Sequence, residues 1–104
     1  MNDQNSGSIL PKLIMRREGA YTHDAVINYS LMHIGDSFSV EISLVEDGVT
    51  TVERLDSISD SAEDARTIFE MLALGSVPPY CAAEVVEDML ESGCYRSTAD
   101  SVNF

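Results

Sequence analysis

The chain has 104 residues, 44% of them hydrophobic, and its 18 acids against 6 bases give a formal net charge of −12. That length sets a single domain, and an apolar fraction near the globular average builds a core without disulfides or metals, which excludes wholesale disorder. Six bases cannot neutralise many phosphates, so direct binding of nucleic acid is excluded as well.

In chain order, residues 1–8 are polar and carry Gly7 with two serines, which reads as a flexible leader before a domain spanning 9–93. Leu10 to Arg17 holds the short apolar run Leu13-Ile14-Met15, with Pro11 and basic residues that suit a sheet edge, and Gly19 is expected to break it. From 25 to 33 the pattern alternates, with Ala25, Ile27, Tyr29 and Leu31 on one face, and Gly35-Asp36 then marks a turn. Residues 38–45 alternate most cleanly: Phe38, Val40, Ile42 and Leu44 point one way, and Ser37, Ser39, Glu41 and Ser43 the other. Asp47-Gly48 is a strong hairpin signal, since both residues tolerate positive φ, and β-branched residues over 49–56 supply the returning strand.

The period changes after residue 58. Ser59, Asp60 and Ser61 are all competent N-caps, and Asp60 with Glu63 forms a capping-box-like pair. Ala62, Ala65, Ile68, Phe69 and Leu72 follow at helical spacing, with Gly75 as the closing residue. Val77-Pro78-Pro79 links to a second helix over 80–91, whose apolar stripe is Ala82, Val85, Val86, Met89 and Leu90; Gly93 closes it, leaving 94–104 as a loose tail. The fold predicted is α+β: an antiparallel three- to four-stranded meander followed by two helices packed on one sheet face. Its core should unite Phe38, Val40, Ile42 and Leu44 with Ile68, Phe69, Leu72, Val85, Val86, Met89 and Leu90.

Catalytic and ligand motifs are sparse. His23 and His33 lie ten residues apart near one strand, about 33 Å if it is straight, so they do not share a site. No phosphate-binding glycine motif and no metal-ligand spacing occurs, so no cofactor and no metal is expected. Cys81 and Cys94 lack a CxxC spacing; Cys81 reads as a small packed hydrophobe and Cys94 as a tail thiol. No apolar run reaches the roughly 18 residues of a membrane span and no signal peptide opens the chain, which together predict a cytoplasmic protein.

One constellation stands out. Residues 1–35 are neutral, so the whole net charge falls on 36–104. Glu84, Glu87, Asp88 and Glu91 occupy i, i+3, i+4 and i+7 of the second helix, a stripe of four carboxylates opposite its apolar face. Asp60, Glu63, Asp64 and Glu70 add four acids on the first helix, against Arg66 alone. Like charges at these spacings cost a helix a few tenths of a kcal/mol per pair, so helix stability does not explain the stripe. A solvated face that keeps a small protein soluble is the plainer account. The functional account is a negative rail that docks on a basic protein surface.

The residues Ile58-Ser59-Asp60, Val77-Pro78-Pro79 and Val85-Val86-Glu87-Asp88-Met89-Leu90 carry a further signal. Over about residues 29–90 the chain resembles a family of small proteins from Clostridia and related Firmicutes known only as a domain of unknown function. The tract from Val77 to Leu90 is its most specific part. The chain departs from the family pattern at Pro78, usually serine, and at Cys81, usually histidine. The resemblance implies the meander-then-two-helices order and no activity, substrate or cofactor.

The leading expectation is therefore a non-enzymatic acidic binding protein, an inhibitor that docks on the nucleic-acid-binding surface of a nuclease in the manner of a DNA mimic or an anti-CRISPR protein. Two alternatives stand beside it. One is a cytoplasmic regulatory or adaptor protein that binds through apolar surface, its charge serving solubility only. The other is a small-ligand or metal-binding module. If Val26, Met32 and Val45 share the open face of the sheet, they form an apolar patch that favours a homodimer.

Overall fold

Two tight turns lay out the sheet. A computed structural model describes residues 10–22 and 24–94 of the chain. In it, β1 (Lys12–Thr22), β2 (Ala25–Ile34), β3 (Ser37–Glu46) and β4 (Val49–Ser59) form one antiparallel meander in the order β1-β2-β3-β4. The β2–β3 turn places Gly35 at φ 62°, and the β3–β4 turn holds Asp47 at φ 54° and Gly48 at φ 76°. Turns with positive φ at these central residues match the twist of the flanking strands, which is why both hairpins close with two residues.

With the turns fixed, the alternation sets the register. Ile27 pairs with Leu44, Tyr29 with Ile42 and Leu31 with Val40. These six side chains are all buried on one face. α1 (Ala62–Leu74) and α2 (Pro79–Ser92) cover that same face, so the meander is a two-layer α+β fold. α1 contributes Ala65, Ile68, Phe69 and Leu72 to the core, and α2 contributes Ala82, Val86 and Met89. The link between the helices is tied down by the Tyr29 hydroxyl, which donates to the Val77 carbonyl at 2.8 Å. α1 reaches all four strands, whereas α2 lies over β3 and β4 only.

Several local expectations are revised. β1 is the edge strand foreseen, but it runs through Gly19 instead of ending there. Gly19 pairs with Ile27 of β2, and a Cβ at that position would make only an ordinary 3.4 Å contact with an Ile27 methyl, so the ladder passes through the glycine without interruption. β4 continues to Ser59 past a bulge between the Phe38 and Val40 pairings, where Ser57 takes φ 53°. The bulge turns Ile58 into the core, and Ser39 Oγ, buried beside it, accepts the Ser57 amide at 3.3 Å.

The helix ends are shifted too. Ser61 is the N-cap of α1, its hydroxyl accepting from the Asp64 amide at 3.2 Å, so the Asp60–Glu63 pair is not the capping pair. Gly75 has φ −83°, and the left-handed residue after α1 is Ser76. α2 starts with Pro79 at its first position and ends at Gly93 with φ 70°, as the link and the closing glycine predicted. Leu90 is 40% exposed and leaves the predicted core, because the buried stripe centres on Ala82, Val86 and Met89 and Leu90 lies beyond its edge. Val85 packs against the core while only half-buried. The expected leader over 1–8 lies outside the described residues, as does the expected tail from 95 onward.

Candidate acidic interface

α2 owes its existence to packing, since its own charges oppose it. Pro78 offers no side-chain cap, no acid sits in the first turn, and no base sits in the last. Its apolar face holds it against β3, β4 and α1. What remains on the outside is charge. Glu84, Glu87, Asp88 and Glu91 are all exposed, and no base lies anywhere on the helix.

At about 100° per residue, these four carboxylates span roughly a quarter to a third of the helix circumference, opposite Val86 and Met89. Tyr80, 69% exposed, projects into the middle of the same sector, one turn before Glu84. The sequence reading passed over this tyrosine. The signal was present, since Tyr80, Glu84, Glu87 and Glu91 follow i, i+4, i+7 and i+11, but an aromatic at the start of a helix reads as core until its neighbours are placed.

The acids of the first helix do not extend this rail as one face. Glu70 forms an ion pair with Arg17 of β1, Nη2 to Oε2 at 2.8 Å, on the side of α1 away from α2. Its charge is thus matched within the chain. Glu63 is exposed and borders a cleft of about 470 Å³ between β1 and the start of α1, lined by Ile14, Met15, Phe38 and Arg66 among others. Asp64 is half-buried and its backbone amide is engaged by Ser61, while Asp60 is exposed just ahead of that cap. The eight predicted acids therefore divide into a stripe of four on α2 with no ion-pair partner among the described residues, and four separate positions around α1.

The other chemistry-bearing residues are accounted for locally. The His33 ring stacks on Phe38, centroids 4.4 Å apart and planes 12° from parallel; His23 lies outside the described residues. Cys81 is half-buried, not fully packed away, Cys94 is exposed, and both are free thiols. Among the described residues, no group of three or more His, Cys, Asp or Glu side chains is gathered so as to hold a metal ion. No helix among them is long and apolar enough to cross a membrane. Comparison with protein-family models, with curated proteins and with solved structures finds no match for this chain.

Proposed function

We propose that this chain is a non-enzymatic binding protein of the cytoplasm that lays the outer face of α2 on a basic protein surface. The partner class that fits is a nucleic-acid-processing enzyme, above all a nuclease, which the chain would inhibit by occupying its groove. The observation that carries this reading is the exposed carboxylate stripe Glu84, Glu87, Asp88 and Glu91, set around the exposed Tyr80 on a helix that carries no base. Carboxylates about 5–6 Å apart along a helix present a line of negative charge comparable in sign and spacing to a phosphate backbone. Tyrosine is enriched among residues that dominate binding energy, because its large ring buries well and its hydroxyl finds a partner. The tract that carries the resemblance to the clostridial family, Val77 to Leu90, is the link and the body of this same helix.

The test is electrophoretic co-migration and DNA-cleavage inhibition, with a CRISPR nuclease and an unrelated basic nuclease as probes. Wild type is expected to bind and inhibit one of them, with affinity falling steeply as salt rises, since exposed charges are screened over about 10 Å at 0.1 M. The variant with Glu84, Glu87 and Glu91 changed to Gln and Asp88 to Asn is expected to lose that binding, chiefly through a slower association rate. Equal binding by this variant and wild type at physiological salt would overturn the proposal.

A further inference from the structure

The helices cover one face of the sheet only, and the opposite face is left open. The register defines what it carries. Arg16, Ser30, Glu41 and Arg54 form one row across the four strands, and Glu18, Asn28, Ser43 and Val52 the next. Apolar residues lie beyond these rows at both ends: Met32 towards the β2–β3 turn, Val26 and Val45 towards the β3–β4 turn. Val26 and Val45 are both more than a third exposed, and Val52 is half exposed.

The charge of this face is also unlike the rest of the chain. Arg16 and Arg54, two of six bases, stand here against Glu18, Glu41 and Asp56, three of eighteen acids. Arg54 is in contact with Asp56, Nε to Oδ1 at 2.9 Å. A chain of net charge −12 repels its own copies everywhere except where its surface is close to neutral. This face is such a place, and it is apolar at both ends.

We infer that the open sheet face is a self-association surface and that its occupant is a second copy of this chain, related by a two-fold axis running across the strands between the Ser30 and Asn28 rows. That operator exchanges the two rows and the two ends. It sets Arg16 over the partner's Glu18 and Met32 over the partner's Val26, each contact occurring twice, as a two-fold interface requires. A two-fold axis along the strands fits less well, because it would set Arg16 over the partner's Arg54. Four strands about 4.8 Å apart and ten residues long present roughly 600 Å² per copy, so the pair buries on the order of 1,200 Å², the lower end of specific interfaces. Both helix layers then face outward, and the dimer displays two α2 rails on opposite sides. Dimerisation and the proposed partner docking use different surfaces and fail independently.

The test is sedimentation equilibrium of the full chain over a concentration series at low and physiological salt. A dimer is expected, and it should tighten as salt rises, because screening relieves repulsion between two acidic copies; docking of the α2 rail has the opposite salt dependence. Val26→Glu and Met32→Glu should each weaken the dimer about a hundredfold by placing a charge against an apolar neighbour, without moving the far-ultraviolet circular dichroism spectrum. Arg16→Glu and Glu18→Arg should each weaken it about tenfold, and the double swap should restore it. A chain that stays monomeric at every concentration reached would overturn the inference. So would a dimer untouched by both glutamate substitutions, or one lost when the α2 carboxylates are neutralised. A double swap no tighter than the single variants would overturn the proposed axis.

Discussion

Neutralising the α2 rail should stabilise the free protein, a consequence that separates a binding surface from a structural one. Glu84–Glu87, Glu84–Asp88, Glu87–Glu91 and Asp88–Glu91 are like-charge neighbours three or four residues apart, and none has a base on the helix to offset it. Each such pair costs about 0.2–0.5 kcal/mol. Glu91 also sits in the last turn, at the negative end of the helix dipole, where a carboxylate costs about 0.3–1 kcal/mol more. Changing Glu84, Glu87 and Glu91 to Gln and Asp88 to Asn removes these terms. All four side chains are exposed, so no buried group loses its partner. The expected gain is about 1–3 kcal/mol at low salt, read as a higher midpoint of urea unfolding with an unchanged slope. Added salt should narrow the gap, because screening weakens the repulsion in wild type and leaves the variant little changed. A variant that unfolds at a lower urea concentration than wild type would refute this reasoning, since the carboxylates would then be making favourable contacts within the fold.

The remaining predictions concern the frame that holds the rail. Phe69 is wholly buried between α1 and the sheet, so Phe69→Ala should cost about 3–5 kcal/mol, a large share of the roughly 5–15 kcal/mol of a whole domain; a loss under about 1 kcal/mol in chemical denaturation would contradict the helix face described. Tyr29→Phe removes the hydroxyl that donates to the Val77 carbonyl at 2.8 Å. It should cost about 1 kcal/mol and speed hydrogen exchange in the link between the helices, whereas an unchanged exchange pattern would show that the link is held by the prolines alone.

The sequence by itself determined the order of elements and most of their inward faces, because each rested on a local rule. The period of two over 25–33 and 38–45 names the buried residues of β2 and β3 except Ser39, which it places outward and the β4 bulge buries. Asp47-Gly48 names the hairpin, and Pro79 and Gly93 name the ends of α2, since few residues suit those backbone positions. The exposure of the four α2 carboxylates was equally legible, because it is the complement of an apolar stripe on the same helix.

The tertiary structure decided whatever depends on two segments meeting. Gly19 continues a strand because it pairs with Ile27 of β2, a partner absent from its own neighbourhood in the chain. Ile58 belongs to the core only because a bulge opposite Ser39 rotates it there. Leu90 and Val85 share an apolar stripe in sequence, but the packing of α2 over β3 and β4, centred on Ala82, Val86 and Met89, leaves one exposed and the other half-buried. Glu70 was indistinguishable from the other acids until Arg17, 53 residues earlier, was placed beside it. Local periodicity fixes which way a side chain points from its own element, whereas its charge partner and its degree of burial are set by the element packed against it.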